Sequence, residues 1–254
     1  MKDLHIHIER GDYNKKWIDR FVSQAVKMNI DEINLLEHTI RIRDFHPAFK
    51  EAREYNLYQK RWFDGKEKQA HSLDEYKALV TEIRAADYPI KVNFGLEVCW
   101  FEQHEDFLRD MLSDGFFDYV LGSVHWIDNW TFNQRKYQWR GRDVNEIYRR
   151  YFEMSETLIE SDIFDIIAHP DLVRCHGIYP DYDLADTYRS LCRKANAHSV
   201  AIEMNTSKGN GINPQFLQIA KEEKVTFTLG SDAHRPEDVG MGIIDVYNIV
   251  NSSV

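Results

Sequence analysis

The amino-acid sequence predicts an α/β protein whose parallel strands close into a barrel related to the (β/α)8 form but one unit shorter. Three observations favour this fold class. Short apolar runs that are typical of strands alternate with amphipathic helical segments along the chain. Seven such strand–helix units fit within 254 residues, and the sequence has no glycine-rich loop of the P-loop or dinucleotide-binding type. A doubly wound open sheet is the alternative architecture.

The predicted strands are apolar runs, each followed by polar or turn-forming residues. They cover residues 3–8, 32–38, 91–98, 118–125, 165–169, 200–206 and 225–231. Helices are predicted between them. Residues 14–28 place Trp17, Phe21 and Ala25 on one face. Helix starts are indicated by Ser72 with Glu75, by Asp143 with Glu146, and by Asn213 followed by Pro214.

We expect one barrel domain over residues 1–254, with a long loop at about 39–71 after the second strand. That segment is polar and aromatic and shows no strand pattern. Such loops in a barrel usually shape the mouth of the active site.

Composition excludes several classes of protein. The net charge of −10 argues against binding of long nucleic acid, because such binding depends on positive charge. No apolar run is long enough for a transmembrane helix, and no signal-peptide pattern follows Met1. The three cysteines are odd in number and widely spaced, unlike a disulfide framework. We therefore expect a cytoplasmic protein without a membrane partner; the oligomeric state is left open.

Histidines and carboxylates recur where the predicted strands end. Since the C-terminal ends of parallel barrel strands meet on one face, these residues are expected to converge. His5 and His7 are two apart on one strand and therefore project to the same side. The candidate metal ligands found in this way are His5, His7, Glu37–His38, Glu97, His125, His169, Asp232 and His234.

A single histidine in a strand is more often a hydrogen-bonded residue than a metal ligand. Here six of the seven predicted strands end in such residues, and burying that many titratable groups without a cation would be costly. The ligand set is imidazole plus carboxylate, which suits Zn, Mn or Fe ions. A carboxylate such as Glu97 can bridge two ions, which would activate water and neutralise a phosphoryl group.

Six ordered motifs resemble the polymerase-and-histidinol-phosphatase (PHP) family. They are His5-Ile6-His7, Glu37-His38, Gly95-Leu96-Glu97, Gly122-Ser123-Val124-His125, Ala168-His169-Pro170-Asp171 and Ser231-Asp232-Ala233-His234. The resemblance covers nearly the whole chain. It implies the PHP fold, a distorted (β/α)7 TIM-like barrel, with two or three divalent metal ions.

By the resemblance, the first ion would be held by His5, His7, Glu97 and Asp232, and the second by Glu97, His125 and His169. His38 and His234 would hold a third ion together with one residue from the loop after the first strand. This sequence departs from the family pattern in that loop. Glu9 or Asp12 is the candidate for the missing oxygen ligand, and an ion pair of Glu9 with a loop base is equally compatible with the sequence.

Residues 169–174, His-Pro-Asp-Leu-Val-Arg, are similar to those of monofunctional histidinol-phosphate phosphatases, in which the matching arginine contacts the phosphate. Arg174 is accordingly expected to bind the substrate. Those enzymes have a second arginine after an Asn-Thr-Ser motif, where this chain has Lys208. Arg41 and Arg43 in the long second loop are further candidates for substrate binding. The aromatic residues at 126–139 are interpreted mainly as packing, with a wall against a flat substrate as the alternative.

The sequence therefore predicts a metal-dependent phosphomonoesterase, with L-histidinol phosphate as the most specific substrate and histidine biosynthesis as the pathway. Arg174 would stabilise developing charge, and His234 or Asp232 would protonate the leaving group. The alternatives are a PHP-family phosphoesterase acting on nucleotides or other small phosphates, an amidohydrolase-type hydrolase, and a non-catalytic metal-binding domain.

Overall fold

Seven strands of the chain form one parallel sheet, and two short strands form a separate hairpin. The computed structural model describes residues 1–207 and 213–251. Its strands are β1 (Lys2–His7), β2 (Glu32–His38), β3 (Lys91–Cys99), β4 (Tyr119–Ser123), β5 (Trp126–Ile127), β6 (Trp130–Thr131), β7 (Ile166–Ile167), β8 (Ala201–Asn205) and β9 (Phe227–Gly230). All seven predicted strands are confirmed, with ends that differ by a residue or two.

The sheet runs in the order β1-β2-β3-β4-β7-β8-β9, and each neighbouring pair is parallel. Its two edges meet where Ile6 of β1 forms a parallel bridge with Ala233, just after β9. The His7 N–H donates to the Ala233 carbonyl at 2.7 Å. The sheet is therefore a nearly closed seven-stranded barrel, as predicted, and not an open doubly wound sheet.

The helices lie between the strands and begin at the predicted caps. Asn14, Asp143 and Asn213 each accept a hydrogen bond from the first turn of a helix, and Ser72 with Glu75 forms a complete capping box. The helices are α1 (Lys15–Lys27), α2 (Lys50–Glu54), α3 (Leu57–Glu67), α4 (Leu73–Arg84), α5 (Glu105–Leu112), α6 (Val144–Glu160), α7 (Ala185–Ala197), α8 (Pro214–Glu222) and α9 (Ile243–Asn251). Within the described ranges, none of them is long and apolar enough to cross a membrane.

Two apolar clusters stabilise the barrel. The larger one joins the outer faces of the strands to the surrounding helices. The smaller one comes from the strands and the residue after β7, and it fills the interior below the histidines. Its members are Leu4, Leu36, Leu121, Ile166, Ala168 and Ala201. The barrel is thus a packed core that presents its polar residues at one end.

The segment predicted as a long loop at 39–71 is mostly helical, and this prediction is wrong. Two 3-10 helices (Thr39–Arg41 and Arg43–Phe49) are followed by α2 and α3. In α3, Gln59 is buried while Leu57 is 73% exposed, the reverse of the usual amphipathic pattern. The Gln59 side chain bonds to the backbone of Asn129 and Thr131 in the β5–β6 hairpin. These tertiary contacts stabilise the helix although its sequence shows little helical periodicity, so the pattern could not predict it.

The aromatic stretch after β4 is mainly packing, as interpreted from the sequence. Four of its five large rings are buried, whereas Tyr137 is exposed; the buried ones are Trp126, Trp130, Phe132 and Trp139. Trp126 stacks on Phe63 and meets Trp62 edge-on, with ring centroids 5.1 and 5.7 Å away. The excursion after β2 and the hairpin after β4 therefore form one wall over the same end of the barrel.

Candidate metal centre

The predicted ligands converge at one end of the barrel. His5 and His7 lie on β1, His38 on β2 and Glu97 on β3, while the others follow β4, β7 and β9 directly. Among the residues that the structure describes, three groups of donor atoms within 4.8 Å of one another could each hold a metal ion. The groups are His5, His7 and Glu97; Glu97, His125 and His169; and His7, His38 and His234. Glu37, which alternates with His38 on β2, belongs to none of these three groups.

The Glu97 carboxylate lies at the centre of the cluster, and each of its oxygens faces a different set of imidazoles. Oε1 is 3.0 Å from Nε2 of His169 and 3.5 Å from Nε2 of His125. Oε2 is 2.9, 3.3 and 3.6 Å from the Nε2 atoms of His38, His7 and His5 respectively. A carboxylate between two groups of imidazoles is the arrangement that a bridging ligand requires.

Two imidazole nitrogens on β1 face each other directly. Nε2 of His5 and Nε2 of His7 are 2.9 Å apart, and Asp232 Oδ1 lies 3.7 and 3.5 Å from them. Both histidines are buried, and Nδ1 of His7 has no hydrogen-bond partner within the described residues. Two imidazole lone pairs aimed at one point repel each other unless a proton or a metal cation lies between them. The residues present therefore fit a divalent ion.

Glu9 places a carboxylate beside two histidines of the third group. Its Oε2 is 2.9 Å from Nδ1 of His38, and its Oε1 is 3.9 Å from Nε2 of His234. Asp12, the other candidate, is exposed in the turn before α1, where its carbonyl accepts the Asn14 N–H at 2.8 Å. Of the two carboxylates left open by the sequence, the geometry favours Glu9.

Electrostatics in the cluster favour cation binding. Burial opposes ionisation of Glu97, but His38 and His125 outweigh it and hold its pKa well below the ordinary value. Burial lowers the pKa of His125 to about 3 despite the attraction of Glu97, so its imidazole is neutral, as a metal ligand must be. For His38, Glu97 and Glu9 overcome burial and raise the pKa to about 10. Binding of an ion by His38 would therefore have to displace a proton from its ring.

A cavity of about 310 Å³ opens onto this cluster. Glu9, His38, His125 and His234 form its polar end, and two cationic side chains, Arg10 and Lys66, also line it; the remaining lining residues are Ile40, Phe49, Trp62, Cys99, Trp126, Asn133 and Gln134. Lys66 lies on α3 with its ammonium 5.5 Å from the centroid of the Trp62 ring. The cavity therefore combines carboxylate and imidazole donors, cations and aromatic walls.

The arginines singled out from the sequence lie elsewhere. Arg41 is buried, and it donates to the Glu9 carbonyl at 2.9 Å and to Gln69 at 2.8 Å. Arg43 donates to the Ala70 carbonyl at 2.6 Å and to Glu75 at 3.2 Å. Neither is among the residues that line the cavity.

Arg174 follows the His169 motif in a 3-10 helix (Leu172–His176) and donates to Asp171 at 2.6 Å. It too is absent from the lining of the cavity. Lys208 lies outside the described residues. The structure thus brings together the predicted metal ligands but leaves the predicted phosphate contacts at a distance or undescribed.

Three residues of the site were missed by sequence reasoning. Glu203 lies within β8 and bonds to His5, and no local motif marks it. Arg10 follows Glu9 directly, in the loop where this sequence departs from the family pattern. That departure was a signal that could have drawn attention to Arg10. Lys66 lies in the segment predicted as a loop, and only the aromatic and basic composition there pointed towards the cavity.

Comparison with known proteins points to one family. A family model described as the PHP domain matches residues 3–207. Two curated relatives are each named probable histidinol-phosphatase. The one from Deinococcus radiodurans is 29% identical over 197 residues, which cover 73% of this chain and 74% of the relative. The one from Clostridium acetobutylicum is 23% identical over 163 residues, covering 59% and 64%.

Solved structures share the fold. A Listeria monocytogenes protein provisionally named histidinol phosphatase aligns with a TM-score of 0.71 at 17% identity, over 96% of this chain and 99% of that chain. Histidinol phosphate phosphatase from Lactococcus lactis, solved with Zn, L-histidinol and phosphate, aligns with a TM-score of 0.66 at 18% identity, over 98% and 92%. At these identities the likeness concerns the fold of the barrel.

Proposed function

This chain belongs to the PHP family, and on that premise we propose that it is a metal-dependent phosphatase of small phosphomonoesters, with L-histidinol phosphate as the favoured substrate. Glu97 carries the proposal, because its two oxygens face two groups of imidazoles at 2.9–3.6 Å. The names of the two curated relatives and the ligands of the Lactococcus lactis structure support the substrate. Histidine biosynthesis would be the pathway.

We assign the donors to three ions. His5, His7, Glu97 and Asp232 would hold the first, Glu97, His125 and His169 the second, and His38, His234 and Glu9 the third. Imidazole and carboxylate donors suit Zn, Mn or Fe, and the zinc in the Lactococcus lactis structure supports zinc first. Bound ions would supply Lewis acidity and neutralise the charge of the phosphoryl group.

The walls of the cavity suit a substrate with a phosphate and a flat ring. Arg10 and Lys66 add positive charge to its lining, which would attract a phosphate dianion. Trp62 and Trp126 offer aromatic surface for an imidazole ring. We retain Arg174 and Lys208 as proposed phosphate contacts, and Arg174 would have to exchange its bond with Asp171 for one with the substrate.

His234 is the proposed proton donor to the leaving alkoxide. Its Nδ1–H donates to the Asp232 carbonyl at 2.9 Å, so only the doubly protonated ring carries a transferable proton on Nε2, on the side of the cavity that it lines. In this role Nε2 would not bind the third ion, because a ring nitrogen bound to a metal has no proton to give. Asp232, whose Oδ1 lies 3.5 Å from Nδ1 of His234, is the alternative donor. A proton delivered at this point would turn a poor alkoxide leaving group into an alcohol.

We also propose that residues 1–254 form a single barrel domain and that the protein works in the cytoplasm. The domain assignment rests on one sheet whose strands extend from residue 2 to residue 230. The cytoplasmic assignment rests on the three cysteines, all of which are free thiols.

Phosphate release from a panel of substrates tests the function. The panel contains L-histidinol phosphate, sugar phosphates, mononucleotides and an aryl phosphate, with metal content measured on the same preparation. We expect histidinol phosphate to be preferred, and His125→Ala to lose release of phosphate from every substrate. His198→Ala is the matched control, since His198 pairs with Asp162 on the surface at 2.7 Å. No release from any substrate, or full activity of His125→Ala, would contradict the proposal; preference for a mononucleotide would remove only the histidinol assignment.

A further inference from the structure

One carboxylate beside the metal centre has no role in the ligand scheme. Glu203 lies on β8, the strand for which the sequence offered no metal ligand, and its side chain is buried. Its Oε1 accepts the Nδ1–H of His5 at 2.7 Å, and its Oε2 accepts the backbone N–H of His169 at 2.6 Å. Glu203 therefore contacts a residue of the first donor group and a residue of the second.

The contact with His5 determines which ring nitrogen is available to a metal. An ionised carboxylate only accepts hydrogen bonds, so when the His5 ring is neutral, as a metal ligand must be, its proton resides on Nδ1. Nε2 then carries a lone pair and points at Nε2 of His7, 2.9 Å away. Metal-binding histidines commonly depend on such a partner for their tautomer and orientation.

The contact with His169 acts on the backbone. His169 has a φ of +30°, a conformation that residues other than glycine rarely adopt and that neighbouring contacts must maintain. This bend brings Nε2 of His169 to 3.0 Å from Oε1 of Glu97. The Glu203 carboxylate holds the backbone N–H at the point where the chain bends.

The barrel leaves room for this carboxylate at a glycine. A Cβ atom added to Gly230 on β9 would lie 2.0 Å from Oε1 of Glu203 and 2.5 Å from Cβ of His5. Any side chain at that position would displace one of the two residues. Gly230 therefore permits β1, β8 and β9 to approach closely enough for the contact between Glu203 and His5.

We propose that Glu203 is a positioning residue of the metal centre, which fixes the tautomer of His5 and the bent backbone of His169 and so prepares both donor groups at once. The inference rests on the proposed metal centre but not on the substrate. Glu203→Gln cannot satisfy both contacts, because its amide presents one acceptor and one donor to two N–H donors. If the amide nitrogen faces His5, the ring proton moves to Nε2 and the ligand atom is lost.

The experiment measures zinc binding by the full-length, metal-free protein in competition with a chromophoric chelator, without substrate. Loss of such a partner typically weakens metal binding about 10–100-fold, and we expect this loss for Glu203→Gln. Glu203→Asp, which keeps the charge but is shorter, should lie between that variant and the natural protein. With saturating zinc, the KM for a phosphate ester should stay unchanged, since Glu203 does not line the cavity.

Glu32→Gln is the matched control. Glu32 is also a buried strand carboxylate, but it lies at the start of β2 and bonds to Lys91 and Asn93. Its replacement should leave the dissociation constant for zinc unchanged, with folding of each variant checked by thermal unfolding of the metal-free form. Wild-type zinc affinity in folded Glu203→Gln, or in folded Glu203→Asp where the amide variant does not fold, would overturn the proposal, as would an equal loss in Glu32→Gln. Zinc binding without any phosphatase activity would refute the proposed function and leave this inference standing.

Discussion

Replacement of Glu97 by glutamine tests the centre of the site most directly. The carboxylate lies 2.9–3.6 Å from five imidazole nitrogens. At an effective dielectric constant of about 20, a unit charge some 3 Å away contributes roughly 5 kcal/mol. The amide keeps one oxygen and its dipole, so we take about 3 kcal/mol as the loss for each of two ions, or ~100-fold in each dissociation constant. An amide nitrogen would also turn a donor towards one group of histidines.

The assay for Glu97→Gln is metal stoichiometry and affinity by chelator competition, followed by phosphate release at a fixed metal concentration. We expect fewer than two tightly bound ions per chain and a fall in release of at least ~100-fold, following the loss in affinity. Glu37→Gln is the control, because Glu37 is also a buried strand carboxylate but belongs to none of the three donor groups. Two ions bound to Glu97→Gln with natural affinity would refute the assignment of Glu97 as a bridging ligand.

Three further outcomes are expected. Lys66→Ala and Arg10→Ala should each raise the KM for a phosphate ester about 10-fold, the value of one charged hydrogen bond, without changing metal affinity; unchanged KM values would remove them from the phosphate site. Burial opposes ionisation of Glu32, but hydrogen bonds led by that from Lys2 lower its pKa to about 2. Its stabilising effect is therefore present above pH 4.5 and lost as the pH falls towards 2. In urea unfolding, the free energy of unfolding of Glu32→Gln should fall less over that range than that of the natural protein; an equal fall would contradict this role of Glu32. Chelation of bound metal should lower the midpoint of thermal unfolding, and an unchanged midpoint would indicate that the ions do not stabilise the fold.

The fold and the convergence of the candidate metal ligands could be predicted because both depend on local patterns. Strand periodicity placed β1 to within a residue, and the spacing of His5 and His7 required that both project to one side. The C-terminal ends of parallel strands then brought Glu97 and His169 to the same place, although 72 residues separate them. None of these steps requires knowledge of which side chains touch.

Other residues could not be predicted because their roles depend on long-range contacts. Glu203 sits 198 residues from His5 in sequence, and its contact exists only because β1, β8 and β9 pack closely around Gly230. In α3, contacts with the hairpin override the sequence pattern, so a helix was predicted as a loop. The contacts of an arginine side chain in an irregular segment also depend on residues that are distant in sequence. Composition alone suggested Arg41 as a substrate contact, because the sequence does not show which residues surround it.

Arg41 offers a test that separates that sequence-based hypothesis from the geometry. The structure shows its guanidinium bound to the carbonyl of Glu9 at 2.9 Å and to Gln69 at 2.8 Å, beneath the loop that carries the Glu9 carboxylate. Lysine at this position keeps the charge but has one nitrogen where the guanidinium uses two, Nη1 for Gln69 and Nη2 for Glu9, so it does not hold both acceptors in the same geometry. If Arg41 positions Glu9, Arg41→Lys should lose the ion held by His38 and His234 while the KM for substrate stays constant. If Arg41 binds substrate, the KM should rise and the number of bound ions should not change, so one titration and one kinetic series decide between the two roles.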